Sequence, residues 1–342
     1  GDVIRVRRLT GTAALSGAAR NYLLLYRSTS VSGKPIAVSG TLAVPKGKAP
    51  KGGWPVISWA HGTTGAADIC APSRNGSFSS YIATESNGWL RAGYAIARTD
   101  YEGLGTPGPH PYLIGKSEGR SVIDIVTAAG QADRSIGRRW VAAGHSQGGH
   151  AALFAAALGP KWAPRLRLRG VDAFAPASHI HEEVEAARSL TTPSALSGIG
   201  ALLVAGAVAA SPSTIKPADM LTPAALALLP DVETKCGSDL NAATSWGGIA
   251  PSQIIRAGYD RTALYRIIDA SDPSRLKITV PTLIQQGEAD ALVFPAFSDA
   301  LVAALTANGA TVDYRKYPGI DHGGTVTGGR ADTNAWLKKV LK

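Results

Sequence analysis

The chain has 342 residues, of which 45% are hydrophobic and 18% charged. This composition excludes a disordered protein, because disordered chains are poor in hydrophobic residues and rich in charge. The length suits one large α/β domain or two small ones. The net charge is +10, but the basic residues form neither a tail nor a helical stripe, and no nucleic-acid-binding motif accompanies them. We therefore do not expect nucleic-acid binding.

The first part of the chain predicts β-structure followed by strand–helix alternation. Strands are expected over residues 3–8, 22–28, 35–44, 55–60 and 94–100, from runs of β-branched and aromatic residues bounded by turn residues. A helix is expected over residues 81–91. A second is expected over residues 117–132, with Ser117 as its N-cap and Val122, Ile125 and Val126 on one face.

A short motif, Gly144-His145-Ser146-Gln147-Gly148, lies between an apolar run and an alanine-rich helical run. The pattern Gly-x-Ser-x-Gly between a strand and a helix is typical of a nucleophile elbow, in which the serine occupies a strained turn. Glycines at both outer positions avoid collisions with the adjoining strand and helix. The pentapeptide alone also occurs by chance as a glycine-rich turn with an inert serine, so its context decides.

The second part of the chain continues the alternation. Residues 165–169 alternate Arg and Leu and predict a strand with its leucines facing inward. Further strands are expected over residues 170–175, 278–286 and 310–317, and helices over residues 295–308 and 325–341. This order predicts an α/β fold with a mostly parallel central sheet covered by helices on both faces. The loops that follow the strands should then meet at one edge of the sheet.

Residues 179–275 interrupt the alternation. We interpret them as a helical cap inserted late in the sheet, with residues 1–178 and 276–342 forming the core. The stretch 189–215 has no charged residue, and a membrane span is the alternative interpretation. Prolines interrupt its apolar part, which falls short of the roughly 20 residues that a span requires. An apolar cap suits a site for hydrophobic substrates.

A serine nucleophile needs a general base and an acid that orients it. In the nucleophile-elbow fold the chain order is serine, acid, histidine. His322 follows the last predicted strand and is the expected base. Asp290 follows the penultimate strand and is the expected acid, with Glu288 as the second choice. Asp321, next to the base, is expected to cap its loop.

An oxyanion hole needs two hydrogen-bond donors. The backbone N–H of Gln147, directly after the serine, is one expected donor. The second should come from the loop after the strand at residues 55–60, where we expect Thr64 to donate through its N–H and its hydroxyl. His179 and His181, two residues apart, resemble part of a metal site, but no third ligand pattern supports one. We expect neither a metal nor another cofactor.

Three stretches together resemble the secretory lipase family, the group of Candida antarctica lipase A and its bacterial relatives. They are the elbow motif, the stretch 58–73 with its Cys-Ala-Pro-Ser end, and the stretch 99–105 with its Asp-Tyr-Glu-Gly core. The likeness covers about residues 35–342 and is weakest in the cap. It implies an α/β-hydrolase fold with a helical cap and activity on carboxylic esters. It supports Ser146, Asp290 and His322 as the triad.

The cysteines and the oxyanion hole also bear on this resemblance. Cys70 and Cys236 form no C-x-x-C pair, and by themselves they fit either one disulfide or two buried thiols. The resemblance implies that they pair, tying the oxyanion loop to the cap in an exported protein. It places Thr64 at the family's oxyanion position, although lipase A has an acidic residue there, so the donor must differ.

The ends of the chain complete the expectations. It begins at Gly1 without Met or an apolar leader, which suggests a mature, secreted form. It ends 20 residues after His322, whereas lipase A continues with a flap, so we expect a more open entrance. We expect a monomeric serine lipase or esterase that acts on a hydrophobic ester, at a lipid–water or polymer surface. Alternatives are a polyester hydrolase, an acyltransferase or peptidase with the same triad, and a lipid-binding protein with a vestigial site.

Overall fold

A computed structural model describes residues 1–76 and 80–342 of the chain. Its strands are β1 (Val3–Arg8), β2 (Arg20–Thr29), β3 (Pro35–Val44), β4 (Trp54–Ala60), β5 (Ala95–Thr99), β6 (Ile136–His145), β7 (Arg167–Phe174), β8 (Thr282–Gly287) and β9 (Val312–Tyr317). Its α-helices are α1 (Pro72–Asn75), α2 (Ser80–Arg91), α3 (Gly115–Ala132), α4 (Gln147–Trp162), α5 (Ile180–Ala187), α6 (Leu196–Ala210), α7 (Pro217–Met220), α8 (Pro223–Leu228), α9 (Gly237–Leu240), α10 (Thr262–Asp269), α11 (Pro295–Ala307), α12 (Thr325–Gly328) and α13 (Arg330–Val340).

The described residues form one mixed sheet of nine strands in the order β1-β2-β3-β5-β4-β6-β7-β8-β9. In this order, the first three pairings, β1–β2, β2–β3 and β3–β5, are antiparallel. The remaining five, β5–β4, β4–β6, β6–β7, β7–β8 and β8–β9, are parallel. The mostly parallel sheet predicted from the sequence is therefore confirmed. Because parallel strands share one direction, the loops after β4, β5, β6, β7, β8 and β9 gather at the same edge of the sheet.

The central strands β4, β5 and β8 are buried on both faces of the sheet, and successive side chains of a strand point to opposite faces. On β4, Val56 packs into a core cluster with α3, α4 and α11, whereas Ile57 packs into a second cluster with α2, α12 and α13. The same alternation separates Trp140 from Val141 on β6. This two-sided burial explains why the central strands read as continuous apolar runs.

Three local predictions were wrong in detail. Ser117 is not an N-cap, because α3 begins at Gly115 and the Ser117 hydroxyl instead donates to the Glu102 carboxylate. Residues 165–169 and 170–175 do not form two strands, since β7 runs through both from Arg167. The last helix is divided at Gly329 into α12 and α13.

A buried polar cluster fastens α13 to the sheet. The Asp172 carboxylate on β7 accepts hydrogen bonds from Gln285 at 2.6 Å and from Thr333 at 2.9 Å. Burial raises the pKa of Asp172 to about 7, against the opposing effect of these hydrogen bonds. The group is therefore a source of pH-dependent stability.

The segment between β7 and β8 contributes no strand to the sheet. It carries α5 to α10, which share a separate hydrophobic cluster centred on residues such as Leu202, Val204 and Trp246. The cluster also takes in Tyr112 and Leu113 from the loop after β5, so the helices lie over the edge where the strand loops meet. No helix in the described ranges is long and apolar enough to cross a membrane.

A disulfide joins this helical segment to the loop after β4. Cys70 and Cys236 are bonded, 166 residues apart in sequence. Next to the bond, Gly65 bridges to Cys236, and the Gly237 N–H donates to the Thr64 carbonyl at 3.1 Å. The pairing implied by the family resemblance is present, and it fixes the loop that carries Thr64.

Candidate active site

Ser146 lies between the last residue of β6, His145, and the first residue of α4, Gln147. Its φ is +60° and its ψ is −121°. Such a conformation costs a residue with a side chain on the order of 1–3 kcal/mol, and it persists only where the surroundings enforce it. Here the Ser146 N–H donates to the Phe174 carbonyl at 2.9 Å. The serine is thus held on a strained strand-to-helix turn, as a nucleophile elbow requires.

The two glycines of the motif leave room for this turn. A Cβ atom on Gly144 would lie 2.2 Å from the Gly148 carbonyl oxygen, and one on Gly148 would lie 2.0 Å from the Ala60 carbonyl oxygen. Both distances are far below van der Waals contact. Strand β6, helix α4 and strand β4 therefore approach each other closely enough to require glycine at both positions.

His322 and Asp290 form a hydrogen-bonded pair. The Nδ1 of His322, in the loop after β9, lies 2.7 Å from Oδ2 of Asp290, in the loop after β8. The Asp290 side chain is fully buried and the His322 side chain is 17% exposed. If Nδ1 carries the proton donated to this carboxylate, Nε2 is left as the acceptor that a general base needs.

The Asp290 carboxylate is held in its ionised form by its donors. Its Oδ1 accepts from the backbone N–H groups of Leu292 and Val293, both at 2.9 Å. Burial opposes ionisation, but the hydrogen bonds and the charge of His322 outweigh it and keep the pKa of Asp290 below its ordinary value. Glu288, the second choice, is exposed. Asp321 accepts from the Gly324 N–H at 2.8 Å and so caps its own loop.

Ser146, His322 and Thr64 line one cavity with a volume of about 440 Å³. In the part of the chain that the structure describes, no hydrogen bond joins the Ser146 hydroxyl to the His322 ring. Catalytic hydrogen bonds of this kind are often long in unliganded enzymes and tighten when the substrate binds. The arrangement brings the predicted nucleophile and the predicted base to one space, with the predicted acid behind the base.

The two expected oxyanion donors belong to the start of α4 and to the loop after β4. Gln147 is the first residue of α4, and the first N–H groups of a helix have no intrahelical partner. Thr64 contributes a hydroxyl that is buried and has no hydrogen-bond partner among the described residues. Two donor groups without competing partners can stabilise a negative oxygen that develops on a bound ester.

The side chain of Gln147 is fixed by a buried network that the sequence did not predict. Its Nε2 donates to Oε1 of Glu118 at 2.7 Å and to Nε2 of His110 at 3.1 Å. His110 donates through Nδ1 to the Glu102 carbonyl at 2.8 Å. Burial lowers the pKa of His110 to about 4, so its ring is neutral and Nε2 is free to accept.

The same carboxylate binds His150 inside α4. Glu118 and His150 are both completely buried. Oε2 of Glu118 lies 2.9 Å from His150 Nδ1, and His150 Nε2 lies 2.8 Å from the Ser271 carbonyl oxygen. A carbonyl only accepts, so Nε2 carries a proton, and a second proton lies between Oε2 and Nδ1. The pair is therefore neutral overall and connects α3 and α4 to the end of the helical segment.

His145 supports the loop that carries His322. Its Nε2 donates to the His322 carbonyl oxygen at 2.9 Å, and the two rings lie 4.5 Å apart. Burial, and then the neighbouring His322, lower the pKa of His145 to about 3, so the ring stays neutral. The sequence offered only its position in the motif as a signal for this contact, because its partner is 177 residues away.

The cavity above Ser146 is largely apolar. Residues of the helical segment and of the loop after β8 contribute aliphatic side chains, among them Leu196, Ile199, Leu202, Leu203, Leu240 and Val293. One carboxylate, Glu183 of α5, also lines it. The size and lining suit a small hydrophobic ligand.

His179 and His181 do not approach each other as ligands of one metal. His181 contacts Asp269 at 3.1 Å and stacks on Tyr265, while His179 Nδ1 lies 3.3 Å from the Ser178 hydroxyl. Over residues 1–76 and 80–342, no group of three His, Cys, Asp or Glu side chains could hold a metal ion.

Comparison with solved structures reveals the same fold in several hydrolases. Candida antarctica lipase A in its closed state superposes with a TM-score of 0.81 at 18% identity, covering 99% of this chain and 81% of the lipase. The rice cell wall degrading esterase LipA from Xanthomonas oryzae gives 0.81 at 16% identity, covering 99% and 98%. A putative hydrolase from Legionella pneumophila gives 0.77 at 19% identity, covering 100% and 99%.

The predicted α/β-hydrolase fold is thereby confirmed. The sequence has no significant match among curated proteins. It does match the family described as secretory lipase over residues 84–342, which include the elbow, both loops of the His322–Asp290 pair and the helical segment. This chain belongs to the secretory lipase family.

Proposed function

We propose that the protein is a secreted serine carboxylic-ester hydrolase that works through an acyl-enzyme intermediate. The observation that carries the proposal is the strained Ser146 facing the same cavity as His322, whose Nδ1 is bound by the buried Asp290. Membership of a lipase family supports ester substrates. The disulfide and the family's secretory character support function outside the cytoplasm.

The reaction begins with transfer of the Ser146 hydroxyl proton to His322. Ser146 Oγ attacks the ester carbonyl carbon while His322 Nε2 accepts the hydroxyl proton. The backbone N–H of Gln147 and the donors of Thr64 stabilise the resulting oxyanion. Asp290 stabilises the imidazolium that forms on His322 and keeps its ring in the required tautomer.

The collapse of this intermediate breaks the bond between the carbonyl carbon and the alcohol oxygen. His322 returns the proton to the leaving alcohol, and the acyl group stays on Ser146. A water molecule then attacks the acyl-enzyme with His322 again as the base, which releases the acid and restores the serine. The helical segment, residues 179–275, serves in this proposal as the cap that shapes the acyl cavity.

The test compares hydrolysis of p-nitrophenyl butyrate by the wild type and by Ser146→Ala. We expect kcat to fall by about 10⁵–10⁶-fold, the scale seen when a serine nucleophile is removed. Ser189→Ala, which alters an exposed serine, is the matched control and should keep full activity. If Ser146→Ala kept its turnover, the assignment of Ser146 as the nucleophile would be refuted. A wild type that binds fatty acid but hydrolyses no ester would instead indicate a lipid-binding protein.

A further inference from the structure

Glu183 lies where two cavities meet. Its side chain lines the cavity above Ser146 and also a smaller adjoining cavity of about 90 Å³. The wall between the two consists mainly of Leu196, Ile199 and Leu203 of α6, which line both. A carboxylic acid is thus placed along the aliphatic surface that leads away from the candidate nucleophile.

The Glu183 side chain lacks the partner that a buried carboxyl group normally has. Its Oε1 is buried and makes no hydrogen bond to any described residue. Arg188, which lines the smaller cavity, pairs with Glu185 at 2.8 Å. An unsatisfied polar atom of this kind is rare in native proteins and calls for a specific explanation.

Burial and the charges around Glu183 favour its neutral form. Burial first, and then the carboxylates of Asp272, Asp290 and Glu182, raise the pKa of Glu183 to about 8. At neutral pH the group is therefore largely a protonated acid, with one O–H donor and a free carbonyl acceptor. An aliphatic chain alone would leave both unsatisfied, which costs binding free energy.

We infer that Glu183 binds a hydroxyl group on the acyl chain of the ester substrate. A hydroxyl group both donates and accepts, so it can satisfy the two oxygens of a neutral carboxyl group at once. An acyl chain attached to Ser146 remains in the cavity through both half-reactions, and its carbon chain suits the leucine and isoleucine walls. The inference rests on the proposed esterase function and adds to it a substrate class, hydroxylated aliphatic acyl esters.

The experiment measures kcat/KM for p-nitrophenyl octanoate and for a series of derivatives that carry one hydroxyl group at successive carbons of the acyl chain. A second series carries an amine in place of the hydroxyl group. The wild type should prefer one hydroxylated isomer over the parent by about tenfold, the scale of one hydrogen bond to a buried polar group. In Glu183→Leu, the ratio of kcat/KM for the hydroxylated ester to kcat/KM for p-nitrophenyl octanoate should fall from about tenfold to about one. Glu182→Gln, which changes the exposed neighbour, is the control and should keep the preference.

Glu183→Gln separates neutral recognition from charge recognition. A glutamine amide also donates and accepts, so the preference for the hydroxylated isomer should survive within about threefold, well inside the effect of one hydrogen bond. A preference for the amine-bearing analogue that Glu183→Gln abolishes would overturn the hydroxyl assignment. Equal preferences in the wild type and Glu183→Leu would overturn the inference even though the plain ester is hydrolysed. Failure to hydrolyse any ester would overturn the proposed function itself.

Discussion

The buried Glu118 carboxylate allows a comparison of two substitutions that differ in hydrogen bonding. In Glu118→Ala, the Leu113 N–H, the Gln147 amide and His150 Nδ1 all lose their partner on this side chain. Each unsatisfied buried polar group costs about 1–3 kcal/mol. Relaxation recovers part of this sum, and breaking a buried pair of this kind typically costs about 3–5 kcal/mol. We expect the free energy of unfolding to fall by that amount.

In Glu118→Gln, all these contacts can be kept. The amide oxygen takes the place of Oε1 and accepts from Leu113 and Gln147, while the amide nitrogen takes the place of Oε2 and donates to His150 Nδ1. The proton that the acid and imidazole share is replaced by an amide hydrogen, so the site remains neutral. The cost should stay below about 1.5 kcal/mol, the upper range of a single net hydrogen bond.

The free energy of unfolding of both variants is measured by urea titration, monitored by circular dichroism, with the disulfide kept oxidised. The midpoint should shift strongly for Glu118→Ala and slightly for Glu118→Gln, with the slope against urea unchanged in both. Equally large losses in the free energy of unfolding of both variants would refute the conclusion that Glu118 and His150 form a neutral pair sharing one proton. Two losses below about 1 kcal/mol, less than one unsatisfied buried group costs, would refute the buried network as a stabilising element.

Three further predictions concern the disulfide, the acid and the pH dependence of stability. Replacing Cys70 and Cys236 together by serine opens a 166-residue loop, and the chain-entropy relation gives a loss of about 5 kcal/mol in the free energy of unfolding, measured in urea. Asp290→Asn should lower kcat on p-nitrophenyl butyrate by about 10³–10⁴-fold, because the imidazole loses its orienting anion; Glu288→Gln should leave kcat unchanged, and equal effects would contradict the choice of acid. Asp172→Asn should make the free energy of unfolding depend less on pH. The raised pKa of Asp172, about 7, means that the unfolded chain releases this proton from about pH 4 upward while the folded protein keeps it. The contribution of this group to stability is therefore complete below about pH 4 and is lost as pH rises to about 7. If the free energy of unfolding changed with pH in the same way in the wild type and in Asp172→Asn, the prediction would be contradicted.

Local sequence patterns predicted the parts of the fold that local physics determines. The period-two and apolar runs located most strands within a few residues, and the elbow was recognisable because strand, glycines and helix are contiguous. Ser117 and the break at Gly329 were misjudged for a different reason. A capping serine and a buried serine have the same local sequence, and only tertiary contacts distinguish them.

The buried network lay beyond these patterns because its members are distant in sequence. Glu118 and His150 are 32 residues apart, and His145 and His322 are 177 apart. One signal was present, since Glu118 occurs four residues before Val122 and therefore on the buried face of α3. A charged residue on such a face needs a partner, but the sequence does not say which one.

The position of Glu183 was equally hidden. Its neighbours Glu182 and Glu185 are exposed, and the sequence of α5 gives no reason to single out the middle carboxylate. Helix α10 packs against both α5 and α6, and Glu183 lines the cavities together with residues of α6. If Glu183 binds the acyl chain as we propose, the helical segment takes part in substrate selection.

Covalent labelling of the nucleophile tests the central claim most directly. The wild type, Ser146→Ala and Asp290→Asn are treated with a fluorophosphonate, and the labelled peptide is identified by mass spectrometry. We predict one label on Ser146 in the wild type, none in Ser146→Ala, and a much slower reaction in Asp290→Asn, because the reagent reacts only with a serine activated by its base. A folded wild type that takes up no label, or that is labelled at another serine while Ser146→Ala is labelled equally, would contradict the account.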